Sequence, residues 1–368
     1  MPNKVLFVSH LANFQKFNRS LIDRFKKDGW RVDYASSGEE EIQGCDTAYQ
    51  VRIARSPLHP GSIKAIFALR KILRDNKYDL IHCHTPMGSV VARLANLFAG
   101  KSRTKIIYTA HGFHFYKGAP LLNWMLFYPI EKLLARVTDA IITINQEDYD
   151  LAIKKFRTKV YVIDGVGVNL KRFVPVSHDE KIALRKKYNY GPDEFIVIYV
   201  AEVIKRKNHH MIVRNMDKMT SRIPRLKFIF AGEATDSKIA RHFADYPNID
   251  FVGYRRDVDV LFQVADVSIT TSRQEGLAIN VVEAMVSGLP VVCSDVRGNS
   301  DAVEDGVNGH VFNLLDDEEM IEKLELVYKD KKSRRRFSEN NLEKVKRYSQ
   351  DIAVANTFKI YHEVLNEK

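Results

Sequence analysis

The sequence predicts an α/β protein made of two doubly wound domains, each with a parallel sheet covered by helices on both faces. Short, nearly continuous apolar runs alternate with longer helical segments along both halves of the chain, a pattern typical of buried parallel strands. The chain has 368 residues, too many for one core at about 100–200 residues per domain. We therefore expect two Rossmann-like domains facing a central cleft, because such domains bind ligands at the carboxyl ends of their strands.

The first half of the chain predicts six strands and five helices. The strands cover residues 4–9, 31–35, 80–84, 105–110, 140–145 and 159–163. The helices cover residues 14–28, 63–76, 90–98, 122–137 and 146–154. This alternation predicts an N-terminal domain over residues 1–168.

The second half repeats the alternation. Its predicted strands cover residues 195–201, 227–231, 249–251, 267–271 and 291–294, with helices before or after each. Residues 165–169, followed by a polar stretch to residue 193, predict the connection between the domains. We therefore expect a C-terminal domain over residues 169–350, and a last helix over residues 351–368 that packs back on the N-terminal domain.

The composition is that of an ordinary globular protein, with 45% hydrophobic and 28% charged residues. The N-terminus leads directly into an apolar strand and does not resemble a signal peptide. The uncharged stretch from Gly118 to Ile130 is shorter than the about 20 residues that span a bilayer. Three scattered cysteines, Cys45, Cys83 and Cys293, indicate reduced thiols, so we expect a cytoplasmic protein.

The net charge of +11 does not by itself identify a partner. The basic residues are dispersed and no nucleic-acid-binding motif is present, so we expect no nucleic acid. An anionic membrane surface or a phosphorylated substrate would be attracted equally well.

Two carboxylates at a predicted loop-to-helix junction are the most informative feature of the sequence. Glu275 precedes Gly276, and Glu283 lies eight positions later, about two helical turns down at about 3.6 residues per turn. Gly276 allows a tight turn, after which the amides at the start of a helix can bind an anion. This arrangement suits a ligand with a diphosphate and hydroxyl-rich rings. The alternative is a surface glutamate followed by a solvated one.

Two other patterns exclude competing chemistry. Neither half has a Gly-x-Gly-x-x-Gly fingerprint after its first strand, which counts against hydride transfer. His82 and His84 alternate on a strand, but we identify no third metal ligand near them, so they indicate packing or lining of the cleft.

Several motifs together resemble the retaining glycosyltransferases of family 4, whose fold is GT-B. Besides the glutamate pair and the turn GLPVV at 288–292, they are DAIIT at 139–143, GVGVNLKRF at 165–173, AEVIKRKN at 201–208 and EDGVNG at 304–309. The resemblance covers essentially the whole chain, in the order of the family. Within the family, TAHGFHFYKG at 109–118 is similar to bacterial capsule and exopolysaccharide enzymes.

The resemblance implies roles for individual residues. Glu283 would hold the ribose hydroxyls, Glu275 would contact the donor sugar, and Lys207 would neutralise the diphosphate. The backbone of four residues would bind sugar hydroxyls and phosphate: Gly276, Leu277, Ala278 and Ile279. The segment that begins at Tyr254 would lie near the base.

The sequence also departs from the family. Glu202 stands where many members have an arginine, so we expect Arg206 to supply the second cation, the alternative being a solvated loop arginine. Ala278 replaces a common glycine, which puts the approach of the backbone to the ligand in question. The resemblance gives His111 a contact with the donor sugar, while His114 would meet the acceptor or be structural.

Two segments could contact a membrane. Phe14, Phe17, Leu21 and Phe25 follow helical spacing among basic residues, although a core face explains them better. The second segment, residues 113–137, is rich in aromatic residues; we assign Tyr116, Lys117 and Trp124 to the acceptor or membrane side.

The resemblance implies a retaining transferase that needs no metal or other cofactor. We expect it to move a hexose or N-acetylhexosamine from a nucleotide donor, most simply UDP-linked, to a glycan or undecaprenyl-diphosphate-linked acceptor. Such an acceptor would place the protein peripherally at the inner face of the plasma membrane. The alternatives are a nucleotide-sugar epimerase of the same fold and a non-catalytic partner subunit of another transferase.

Overall fold

The computed structural model describes residues 3–54, 56, 59–100 and 104–367. The chain forms two compact units, Met1–Gly167 together with Gln350–Lys368, and Val168–Ser349. Each boundary lies one residue from its predicted position. Each unit has its own parallel sheet with helices around it, so the predicted fold class is confirmed.

The first unit is built on a parallel sheet of seven strands. Its strands are β1 Lys4–Leu11, β2 Arg31–Ser37, β3 Thr47–Gln50, β4 Leu80–His84, β5 Lys105–Ala110, β6 Ala140–Thr143 and β7 Lys159–Val162. Its first five helices are α1 Arg19–Lys27, α2 Pro60–Asn76, α3 Pro86–Leu97, α4 Leu121–Leu134 and α5 Gln146–Lys155. The strand order β3-β2-β1-β4-β5-β6-β7 reverses direction between β1 and β4, the place where such sheets bind ligands.

Three predictions for this unit were wrong in detail. The predicted helix over residues 14–28 is a 3-10 helix, Ala12–Phe17, followed by α1. Buried Asn18 separates the two because its amide donates to the Tyr34 hydroxyl at 3.2 Å. The predicted helix over residues 122–137 ends at Leu134 and continues as a 3-10 turn. The short edge strand β3 was missed because it lacks a continuous apolar run.

The second unit is built on a parallel sheet of six strands. Its strands are β8 Phe195–Val200, β9 Leu226–Ala231, β10 Ile249–Gly253, β11 Val267–Thr270, β12 Val291–Ser294 and β13 Gly309–Phe312. Its helices are α6 His178–Lys187, α7 His209–Val213, α8 Met216–Arg222, α9 Ser237–Arg241, α10 Val258–Val264, α11 Ile279–Val286, α12 Asn299–Ala302, α13 Asp317–Lys329 and α14 Lys331–Lys344. The order β10-β9-β8-β11-β12-β13 reverses between β8 and β11.

The last helix, α15 Gln350–Asn366, belongs to the first unit. Its Phe358 and Tyr361 pack on Phe25, with ring centroids 4.6 and 5.1 Å apart. Gly167 allows the chain to pass the start of this helix: its φ is +85°, and a Cβ there would lie 2.6 Å from the Gln350 Cα. The core of the first unit is thus completed by the end of the chain.

Candidate active site

In the second unit, the loops that follow β8 and β11 are bonded to each other at the reversal of strand order. The Arg273 amide donates to the Arg206 carbonyl at 2.8 Å. The Thr271 hydroxyl lies 3.2 and 3.0 Å from the carbonyl oxygens of Lys207 and Asn208. These bonds hold the two loops in one fixed arrangement, because a hydrogen-bonded loop has lost the freedom of an open one.

Glu275 lies at the centre of this arrangement and is only 6% exposed. Its two carboxylate oxygens contact different cations: Lys207 Nζ at 2.6 Å and Arg206 Nη1 at 3.2 Å. Burial alone would raise the pKa of Glu275, but the attraction of Lys207 and Arg206 outweighs it, and the pKa is lowered. The carboxylate is therefore ionised and held between two positive charges.

Hydrogen bonds hold the backbone at Lys207 and Asn208 in place. The buried Tyr199 hydroxyl donates to the Lys207 carbonyl at 2.6 Å, and the next residue, Asn208, has a left-handed backbone with φ +56°. The Asn208 side chain accepts from Arg273 at 2.9 Å. The lysine is thus presented by a rigid turn, whereas Arg206 beside it is 43% exposed along its side chain.

The predicted helix after Gly276 is α11, and its N-terminus has no side-chain cap. The residue at the cap position is Ala278, whose φ of −78° suits any amino acid, so the alanine in place of a glycine causes no strain. Unpaired amides at a helix N-terminus attract anions. Glu283 lies half-buried on the second turn of this helix.

A glycine on a neighbouring loop supports the Gly276 turn. Gly298 has φ +80°, and a Cβ there would lie 2.6 Å from the Gly276 carbonyl oxygen. Any side chain at this position would displace the backbone that precedes α11.

The structure locates two further predicted positions. Glu202 is exposed, and its carboxylate accepts from the Thr235 hydroxyl, so it contacts neither Lys207 nor Arg206 within the described interactions. Tyr254 follows β10, the edge strand, and is 67% exposed. In the sheet, β10 lies three strands from β11. The placement of Tyr254 near a base remains a prediction.

In the first unit, His111 directly follows β5 and contacts a second histidine. Its Nε2 lies 3.1 Å from His84 Nδ1, and its ring packs edge-on against Phe14 at 4.8 Å. Burial lowers the pKa of His111 to about 4, so its imidazole is neutral at physiological pH.

A cavity of about 340 Å³ lies in the first unit beside the start of α3. Its polar lining residues are His10, Thr85, His114 and Glu131, and its apolar ones are Leu11, Pro86, Met87, Val90, Phe127 and Ile130. The His114 ring packs on Phe127 at 4.7 Å. Glu131 is buried in an ion pair with Arg93 at 2.9 Å, which connects α4 to α3. Sequence reasoning missed this cavity, because its lining residues come from four separate segments.

The side chains of α4 and of the loop before it divide between the core and solvent. Trp124 packs half-buried against the core, and its indole donates to the Tyr116 carbonyl at 3.3 Å. Lys117 is exposed, and its amide donates to Glu147. The exposed apolar side chains of α4 are aliphatic instead: Leu121, Leu122, Met125, Leu126 and Leu133.

The described part of the chain has neither a cluster of metal ligands nor a membrane-spanning helix. Within residues 3–54, 56, 59–100 and 104–367, no three His, Cys, Asp or Glu side chains group as metal ligands. In the same residues, no helix combines the length and the apolar character needed to cross a membrane.

Comparison with known families gives two matches. The family model described as glycosyl transferases group 1 matches residues 180–344, and the model described as glycosyl transferase 4-like matches residues 4–145. A Bacillus subtilis (strain 168) protein named as the glycosyltransferase EpsD is 36% identical over 98% of this chain and 97% of its own length. The predicted resemblance is confirmed.

More distant relatives and solved structures agree. An Escherichia coli protein named UDP-Gal:alpha-D-GlcNAc-diphosphoundecaprenol alpha-1,3-galactosyltransferase is 26% identical over 73% of this chain and 71% of its own. HepE from Anabaena, solved with UDP and glucose, superposes with a TM-score of 0.80 at 19% identity, covering 98% of this chain and all of HepE. WaaG, a glycosyltransferase of lipopolysaccharide biosynthesis, superposes with a TM-score of 0.74 at 14% identity, covering 97% of this chain and 99% of WaaG. These two superpositions show the shared fold.

Proposed function

The chain belongs to the glycosyltransferases of the GT-B fold, and we propose that it moves a sugar from a UDP donor to a lipid-linked glycan with retention of configuration. The observation that supports this most is Glu275, buried between Lys207 and Arg206 beside the uncapped start of α11. The sugar would be a hexose or N-acetylhexosamine, used to build a surface polysaccharide. The named activity of the E. coli relative and the UDP bound in HepE support the donor class.

The residues of the donor site would bind different parts of the UDP-sugar. Amides at the start of α11 and the two cations would bind the diphosphate, since both offer positive charge. Glu283 would accept hydrogen bonds from the ribose hydroxyls, and Glu275 from a hydroxyl of the sugar. The ion pairs of Glu275 keep its carboxylate in the acceptor-only, ionised form.

The two cations would act on the negative charge that develops on the leaving diphosphate. As the bond between the sugar C1 and the phosphate oxygen breaks, negative charge grows on the diphosphate, and Lys207 and Arg206 stabilise it more than they stabilise the ground state. The acceptor hydroxyl would attack C1 from the face that the diphosphate leaves, and its proton would pass to the departing phosphate oxygen. His111 would position the sugar. No step in this scheme requires a metal ion.

Helix α4 supports a peripheral contact with an anionic membrane. Leu121 and Met125 are 75% and 65% exposed, and Lys132 and Arg136 follow them in the chain. An apolar face beside cations favours insertion at the level of the lipid headgroups. The cavity at the start of α3 adjoins this helix through Phe127 and would receive part of the acceptor.

Binding to vesicles tests the membrane contact. Sedimentation with vesicles that contain anionic phospholipid should decrease at least about fivefold for Leu122→Ser combined with Met125→Ser, because apolar area is lost from the interface. The matched control is Leu326→Ser on α13, which is also an exposed helical leucine. Equal binding of both variants would contradict the assignment to α4.

The reaction itself is tested with radiolabelled UDP-sugars. The protein is incubated with each donor and an undecaprenyl-diphosphate-linked sugar, with and without a chelator. We expect label to enter the lipid extract equally in both conditions. UDP binding without turnover of any donor would favour a non-catalytic partner subunit, and an epimerised UDP-sugar formed without acceptor would favour an epimerase. Activity abolished by the chelator would contradict the metal-independent scheme.

A further inference from the structure

Three imidazoles meet at the carboxyl ends of β4 and β5 in the first unit. His82 and His84 point to the same face of β4 because side chains two residues apart share a face, and their ring centroids are 4.1 Å apart. His84 is 1% exposed, and its ring stacks on Phe7 at 6.2 Å with an interplanar angle of 4°. His111 completes the group through its 3.1 Å contact with His84.

The two β4 histidines have different partners. His82 lies 2.7 Å from the Thr109 hydroxyl through Nε2 and 2.6 Å from the Tyr361 hydroxyl of α15 through Nδ1. Both of its ring nitrogens are thus used by structural groups of this unit. His84 uses Nδ1 for His111, so it is the histidine whose removal changes the surroundings of the candidate site residue directly.

One proton is shared by the hydrogen bond between His84 Nδ1 and His111 Nε2, and the surroundings of His84 decide which of these two nitrogens carries it. His84 Nε2 is buried and has no hydrogen-bond partner among the described residues. A buried N–H without an acceptor is more costly and rarer than an unused lone pair. The proton of His84 therefore belongs on Nδ1, from which it is donated to His111 Nε2. His111 must then carry its own proton on Nδ1.

We propose that His84 is a positioning residue for His111, fixing its ring and holding it in the Nδ1–H form so that it offers a hydrogen-bond donor to the substrate. This rests on the proposed function for the role of His111 in transfer. The charge state agrees, because burial, followed by the effect of neighbouring His82 and His111, lowers the pKa of His84 well below its ordinary value. All three rings are then neutral, and tautomers rather than charges distinguish them.

Long-range proton–nitrogen NMR of histidine-labelled protein reads the tautomer directly, whether or not a donor is turned over. We expect His111 in the Nδ1–H form in the unsubstituted chain, and a mixture of both forms in His84→Leu. A small cavity of about 20 Å³ also lies against His84 and could hold a water that accepts from Nε2. His111 found in the Nε2–H form would show that this reverse arrangement holds, and would overturn the proposal.

Kinetics with matched variants separate positioning from stability. His84→Leu should lower kcat at least about tenfold with KM for the donor within about twofold, because a displaced group loses its alignment. His84→Asn, which keeps a donor near the Nδ1 position, should recover most of that loss. His82→Leu is equally buried and does not contact His111 by a hydrogen bond, so it should lower the unfolding temperature and leave kcat within about twofold. Equal losses of kcat in His84→Leu and His82→Leu, or no recovery in His84→Asn, would overturn the proposal. If the unsubstituted chain transfers no sugar at all, the proposed function fails while the NMR result still decides the tautomer.

Discussion

Replacing Glu275 by glutamine should make UDP bind more tightly while transfer becomes slower. The Glu275 carboxylate holds Lys207 at 2.6 Å and Arg206 at 3.2 Å, so both cations are engaged before a diphosphate arrives. Glutamine keeps the shape and removes the charge. The diphosphate then no longer competes with a carboxylate for the two cations, whereas the sugar loses its charged partner.

The structure sets the size of this effect. Two unit charges about 4 Å apart attract by about 4 kcal/mol at an effective dielectric constant near 20. Part of that attraction survives in the complex, and solvent screens the exposed Arg206, so we expect about 1–2 kcal/mol to appear as affinity. This corresponds to a Kd for UDP about 5- to 30-fold lower. The kcat should fall at least about 100-fold, as for the loss of a group that acts on the transition state.

Calorimetric titration with UDP measures the affinity, and initial rates with the UDP-sugar measure kcat. Glu283→Gln is the matched control, because it removes a carboxylate from the same motif, whereas Lys207 and Arg206 are paired with Glu275. It should weaken UDP binding by about 1–2 kcal/mol, through the loss of a ribose contact. If both variants lose UDP affinity equally, the division of tasks between the two glutamates is wrong.

Three other predictions concern the two cations, Gly298 and the effect of acid on stability. Lys207→Ala should lower kcat at least about 100-fold and the more exposed Arg206→Ala about tenfold, while Glu202→Arg should bring no gain in rate; a large gain would show that residue 202 faces the diphosphate. Gly298→Ala should abolish UDP binding, because its Cβ would lie 2.6 Å from the Gly276 carbonyl oxygen. The control is Gly306→Ala, where φ is +72° and the added Cβ would meet nothing within 4 Å; it should cost only about 1–2 kcal/mol of stability by thermal unfolding and keep UDP affinity. Equal UDP affinity in both variants would refute the steric argument. Acid should destabilise the protein, because burial lowers the pKa of His82 to about 3 and that of His111 to about 4. The unfolded chain therefore binds more protons below about pH 6.5, and each such imidazole should cost about 2 kcal/mol by about pH 5. An unchanged urea midpoint between about pH 7.5 and about pH 5 would contradict this.

The donor motif could be located from the sequence because its parts are local. Glu275, Gly276 and the start of α11 are neighbours in the chain, and the turn between them follows from glycine and the helix pattern. Lys207 required the resemblance, since it lies 68 residues from Glu275 and meets it only when β8 and β11 pair. Arg206 was predicted to supply the second cation, but its contact with Glu275 was not predicted, and the structure brings the two side chains together.

The role of His84 could not be predicted from the sequence. The alternation of His82 and His84 showed that they share a face, but their different partners depend on His111, which follows β5, and on Tyr361 from α15. Residue 361 lies 279 positions from residue 82, and no local pattern links them. The assignment of Trp124 to the acceptor or membrane side stays a prediction, because Trp124 is amphipathic and only the packing of this unit decides which side of the helix it covers.

The configuration of the newly formed glycosidic bond tests the central claim most directly. The lipid-linked product of transfer from an α-linked UDP-sugar is isolated in the presence of a chelator, and the coupling at its anomeric proton is measured by NMR. We predict an α-linkage in the product, formed by the unsubstituted chain and formed at least about 100-fold more slowly by Lys207→Ala. A β-linked product would contradict retention, and a product formed equally by Lys207→Ala would contradict the assignment of the site.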